Sequence, residues 1–249
     1  LVLRCLIKEQ SGIHLDLRQL RIWPVRLRQI LQVGLPASVQ SVLFSLSNVL
    51  IQSSVNTFQE TVVAGSAASA NIEGFVYAAM NAFYQTNISF TSQNYGAGQY
   101  ARLGPILLRA QACVIATGLA LGGAAVLFGR QLLSIYTDSP AVIDVGMDRL
   151  AIVCGTYVLC GIMDVMVGSL RGMGYSVMPM IVSLLGACAL RVVWLQTIFQ
   201  IPRFHTPEVI YWSYPFSWAV TISVHVICYF WAMRRLKRHL AEGKVPYTA

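Results

Sequence analysis

Charge is what this sequence has least of. Asp, Glu, Lys and Arg make up 11% of its 249 residues, against 56% apolar residues and a mean hydropathy of +0.60. Ordinary soluble domains carry about a quarter charged residues, so that class is excluded and a chain embedded in lipid is expected. Catalytic and metal-binding signatures are missing too. Cys5, Cys113, Cys154, Cys160, Cys188 and Cys228 contain no C-x-x-C spacing, which favours small core residues over a redox or zinc centre. His14, His205, His225 and His239 are dispersed, without the spacing of a metal site or a catalytic triad. No G-x-S-x-G, P-loop or dinucleotide fingerprint occurs. The residues read as a non-enzyme with no organic cofactor, and the metal question stays open.

What is present is a set of long charge gaps. No charge lies between Arg28 and Glu60, 20 uncharged residues separate Arg109 from Arg130, and 25 separate Glu208 from Arg234. At about 1.5 Å per residue each gap is long enough to cross roughly 30 Å of hydrocarbon. Three further stretches cross with one ionisable residue apiece: Glu73, Asp164 and Arg191. The spacing predicts an all-α polytopic bundle of six transmembrane helices at 33–57, 62–92, 109–129, 150–170, 178–199 and 210–233. These lengths exclude β-barrel strands.

Six crossings put the N-terminal arm, the second and fourth loops and the tail on one side. That side collects fourteen basic residues, and the opposite loops hold three: Arg130, Arg149 and Arg203. The positive-inside bias makes both termini cytoplasmic. The same clustering accounts for the net charge of +8 without a nucleic-acid partner. The chain opens Leu-Val-Leu-Arg-Cys-Leu, with neither methionine nor signal region. Residues 1–32 are therefore expected to be the end of a preceding helix plus an amphipathic cytoplasmic connector, 33–233 the six-helix lobe, and 234–249 a basic tail.

Polar residues within the spans are patterned. At 100° per residue, Ser38, Ser41, Ser45, Asn48, Gln52 and Asn56 fall within about 80° on the first helix. Such a stripe faces other helices or water rather than lipid tails. On the second helix Ser66, Glu73, Tyr77, Tyr84, Asn87 and Thr91 share a comparable arc. A carboxylate among phenols suits proton exchange or an organic cation, and a structural ion pair is the alternative. Asp164 shares a face with Tyr157, Cys160, Gly168 and Arg171, and could serve coupling or pair with Arg191, the only cation well inside an expected span. Tyr214, Trp218, Thr221 and His225 read as an aromatic belt or packing stripe. Pro36 and Pro215 mark bends where missing backbone bonds need other partners.

Three motifs then appear in order. Gly34-Leu35-Pro36 opens the first helix, Ser92-Gln93-Asn94-Tyr95-Gly96-Ala97-Gly98 closes the second, and Leu170-Arg171-Gly172-Met173-Gly174-Tyr175-Ser176 precedes Pro179-Met180. Over essentially its whole length the chain resembles the second six-helix half of multidrug and toxic compound extrusion (MATE) antiporters, and is most similar to the DinF-like and MepA-like bacterial members. The resemblance implies a twelve-helix, two-lobed, multi-pass protein of the cell inner membrane. It would export amphipathic organic cations in exchange for H⁺ or Na⁺ and need an N-terminal six-helix half as partner. Glu73, Tyr77, Tyr84, Asn48, Gln52 and Asp164 are the candidates for substrate and ion coupling; Arg191, Arg171, Pro36 and Pro215 are candidates for pairing or gating. NorM-like members carry an acid in the helix matching 33–57, and none is present here. A lipid-linked saccharide flippase of the same superfamily should have a more cationic cavity, where two acids and one arginine are expected; a non-transport assembly subunit would not need Glu73.

Overall fold

The computed structural model describes residues 7–8 and 21–243. Six long helices organise it: α1 (Pro24–Val55), α2 (Glu60–Gly96), α3 (Tyr100–Leu127), α4 (Pro140–Gly172), α5 (Val177–Gln200) and α6 (Pro207–Ala241). Among the described residues there is no strand. A short helix, Gly129–Ser134, lies between α3 and α4. All but α2 are long and apolar enough to cross a membrane, so the chain is a multi-pass, all-α membrane protein. At 37 residues α2 is the longest, and its two glutamates, asparagines and glutamines lower its hydropathy.

Local chemistry sets the helix ends. α1, α4 and α6 each start on a proline, whose fixed φ suits a first turn that has no intrahelical partner for its N–H. After α2 the chain reverses at Gly98 (φ 70°) and after α4 at Gly174 (φ 89°), left-handed positions that glycine takes without a Cβ penalty. Two of the sequence motifs are thus helix stops. Within the helices Pro36 and Pro215 are carried without a break.

Where helices start matters more than their number. α4 begins at Pro140 rather than at 150, so Arg149 moves from an expected loop into a helix and Arg191 is not the only intramembrane cation. The connector expected over 1–32 gives way to helix at Pro24, and residues 1–6 and 9–20 lie outside the described residues. The tail expected from 234 is helical through Ala241, while 244–249 lie outside the described residues.

Small residues hold α4 at the centre of the lobe. A Cβ on Gly172 would sit 2.6 Å from Thr91 of α2, and one on Gly122 of α3 would sit 2.5 Å from the Cys154 carbonyl of α4. Close backbone approach of this kind is the usual basis of helix association in lipid. Hydrogen bonds reinforce it: Ser69 donates to the Gly146 carbonyl (2.7 Å) and Asn87 to the Val165 carbonyl (2.7 Å) and Ser169 (2.8 Å). α5 is interrupted by a π-helical stretch, Leu184–Ala189, in which Gly186 packs on Thr221 of α6 so tightly that a Cβ would fall 2.2 Å from its hydroxyl. α1 is the least embedded, burying only Ser47, Ile51 and Val55.

A valine at Gly172 should therefore cost about 1–3 kcal/mol through overpacking. Melting of the detergent-solubilised full-length protein is expected several degrees lower for Gly172→Val than for wild type. Gly123→Ala, where nothing lies within 4 Å, should melt like wild type. Equal melting of the Gly172 variant would mean that α2 and α4 are not packed this closely.

Candidate functional site

The helices line an open cavity of about 540 Å³. α1 gives it an amide and hydroxyl wall through Gln40, Ser41, Ser45 and Asn48. α2 adds Tyr77, Asn81, Tyr84 and Gln85, which lie on neighbouring turns; the Asn81 amide donates to the Tyr77 hydroxyl (3.3 Å) and the Gln85 amide to Asn81 (3.5 Å). Across from them α4 contributes Tyr157, Asp164 and Arg171, α5 contributes Arg191, and α6 contributes Tyr214 and Trp218.

One acidic and two basic side chains border this space, and each is held differently. Arg171 donates to the Tyr84 hydroxyl and to Gln40 Oε1 (2.8 Å), which ties the end of α4 to α2 and α1 and leaves its Nε without a partner. Arg191, 3% exposed, donates from Nε to Ser217 (2.8 Å) and faces the rings of Tyr214 and Trp218 at 4.2 and 5.6 Å. Its Nη2 is buried with no partner. Asp164 makes no hydrogen bond or ion pair with any described residue; the described ion pairs are Arg130–Asp144 and Arg149–Glu73.

The expected pairing of Asp164 with Arg191 is therefore not made. Cation–π contact and a serine hydroxyl take its place around the guanidinium.

The expected position of Glu73 is also corrected. It lies outside the cavity wall, in a two-point bond with Arg149 at 2.7 and 2.9 Å, with side chains only 10% and 7% exposed. The Arg149 guanidinium also lies over the Tyr211 ring at 5.5 Å, and the Tyr211 hydroxyl is bonded to Ser66. The second-helix stripe thus divides in two. Tyr77 and Tyr84 face the cavity, while Ser66, Glu73, Asn87 and Thr91 are buried between helices. On α1, Asn48 lines the cavity, whereas Gln52 does not and bonds Asn56 (2.9 Å). Pro36 precedes the cavity-lining Ala37, and Pro215 follows Tyr214. On α6, Thr221 and His225 are packing residues, the latter beside Ser183 at 3.2 Å.

Sequence reasoning missed Gln40, Asn81 and Gln85 as lining residues. The signal was available for two of them, since Asn81 and Gln85 follow Tyr77 at four-residue steps on a helix.

A membrane-spanning helical lobe built around a polar, charge-bearing cavity defines a multi-pass integral membrane protein. The chain belongs to the MatE family, whose profile matches residues 36–195. It is 22% identical over 199 residues to the probable multidrug resistance protein YoeA of Bacillus subtilis (strain 168), covering 78% of this chain and 42% of that protein. The fold is similar to that of MATE in complex with MaL6, with a TM-score of 0.85 at 18% identity over 95% of this chain and 54% of that one. It is equally similar to an outward-facing multidrug resistance MATE family transporter of the MOP superfamily, with a TM-score of 0.85 at 19% identity over 95% of this chain and 53% of that one. The chain spans about half the length of these proteins.

The buried pair yields a direct test. Arg149→Leu leaves a carboxylate buried without its partner and should cost about 3–5 kcal/mol. Arg149→Leu combined with Glu73→Met should recover much of that loss. Thermal melting of the wild type, Arg149→Leu, Glu73→Met and the double variant measures the coupling, and additive losses would mean the two side chains do not interact.

Proposed function

We propose that this chain forms one lobe of a secondary active exporter of amphipathic organic compounds, driven by H⁺ or Na⁺. The observation that carries the reading is Asp164: a carboxylate without a fixed counter-ion, bordering a cavity whose walls are amides and phenols. Tyr77, Tyr84, Tyr214 and Trp218 supply flat apolar area with polar edges, the lining expected of a site for mixed apolar and polar ligands. One carboxylate cannot hold a substrate cation and the coupling ion at once. Competition for it is the simplest source of exchange, because each ligand favours the conformation that binds it better.

Membership of the MatE family, and the printed description of YoeA as a probable multidrug resistance protein, support efflux. The N-terminal six-helix partner half, the inner-membrane location and the cytoplasmic termini belong to the same proposal, and the one-sided distribution of fourteen basic residues supports the orientation. Pro36 and Pro215 interrupt the backbone ladders of α1 and α6 beside cavity residues, which suits rocking of one bundle against the other.

One observation favours a second reading. With Glu73 bound to Arg149, the cavity is bordered by two guanidiniums and one carboxylate, the reverse of the balance expected from sequence. A flippase for a lipid-linked saccharide would use that polarity.

Cells producing the full-length protein are expected to accumulate less of a fluorescent cation, rhodamine B ethyl ester, than empty-vector cells. Asp164→Asn should restore accumulation to the vector level at unchanged protein amount. Glu73→Gln should instead lower the amount of folded protein. Wild-type efflux from a well-folded Asp164→Asn variant would remove Asp164 from the mechanism. In vesicles, collapsing a pH gradient or a Na⁺ gradient separately identifies the coupling ion.

A further inference from the structure

The charges of the lobe interior do not cancel. Glu73 neutralises Arg149 through a two-point bond. The cavity then holds Arg171, Arg191 and a single carboxylate, Asp164, so one guanidinium is left over. An uncompensated cation inside a membrane protein is costly and marks a site.

The geometry identifies which one. Arg171 spends two of its nitrogens on Tyr84 and Gln40. Arg191 lies over the Tyr214 and Trp218 rings and donates from Nε to Ser217, while neither Nη atom donates to a described residue and Nη2 is buried without a partner. What remains unpaired is the Nη end of the guanidinium, the edge that grips a carboxylate or phosphate, on a residue that borders the cavity. The rings and Ser217 hold the buried side chain in place, so little side-chain entropy remains to be lost on binding.

We propose that the cavity binds an amphipathic ligand through an anionic group, a carboxylate or phosphate, seated on the Nη end of Arg191. The inference rests on the export reading and narrows it. With Asp164 set against Arg171, an anionic group on Arg191 balances the charges that this lobe brings to the cavity. A purely cationic ligand leaves Arg191 uncompensated. The anionic group can belong to a free amphiphile or to a lipid headgroup.

A matched pair of probes tests this. Rhodamine B carries a free carboxylate, and its ethyl ester differs only in masking it. Full-length protein in phosphatidylcholine nanodiscs is expected to bind rhodamine B about tenfold more tightly than the ester, the worth of one charge-assisted hydrogen-bonded contact. Arg191→Gln should bring the ratio of the two affinities close to one, and Arg191→Lys should keep part of it. Adding phosphatidylglycerol to the discs separates the sources. A headgroup that fills the site erases the preference in wild type, a free ligand alone leaves it intact, and both results support an anion site. Equal affinity of the wild type for the two probes in phosphatidylcholine overturns the proposal even if Arg191→Gln does not fold. So does an unchanged ratio in a folded Arg191→Gln variant. Efflux of the ester without carboxylate preference overturns the proposal alone, whereas failure to bind either probe overturns the export reading with it.

Discussion

A carboxylate and a guanidinium locked together between α2 and α4, away from bulk water, constrain much of this lobe. Breaking the Glu73–Arg149 pair would strand a charge in a low-dielectric interior, so the two helices are held in one relative rotation. That rotation directs Tyr77 and Tyr84 to one side of α2 and buries Ser66 and Asn87 on the other. It also brings Gly172 against Thr91 and Gly146 against Ser69. The polar contacts along this seam are satisfied by partners of matching geometry, which is what a helix pair in lipid requires. The cavity is the surface left over once the seam is made.

Much of the fold was legible because lipid imposes a coarse rule. Long charge gaps at 29–59, 110–129 and 209–233 fall within α1, α3 and α6 or within a few residues of their ends. Asp164, Tyr77, Tyr84, Asn48, Arg171 and Arg191 were all singled out by sequence, and all border the cavity. The failures share one cause. A helical wheel reports which residues share a face but not which neighbour covers it. Glu73 and Tyr77 lie on one arc, yet α4 brings an arginine to the first and the cavity opens at the second. Arg149 reads as a loop residue because the charge rule places any cation near a span end in a loop, and only the true start of α4 at Pro140 reveals that it is inside.

Polarity inside the lobe depends on that same partnership. Pairing withdraws Glu73 from the cavity and leaves its charge balance to Asp164, Arg171 and Arg191. Local composition alone would count two acids in the spans. Counting only what faces the cavity changes the sign of that balance. Aromatic rings then do two jobs, since Tyr214 and Trp218 both wall the cavity and hold the Arg191 guanidinium.

The π-helical stretch of α5 adds a further property. Its wide turn, Leu184–Ala189, ends one residue before the α-helical segment Leu190–Gln196 that carries Arg191. A π turn accommodates one more residue than an α turn. Moving it by one position along the chain rotates whatever it passes by about 100° while leaving the helix otherwise intact. α5 is in this sense a shaft with a slip joint, and Arg191 is mounted just beyond the joint.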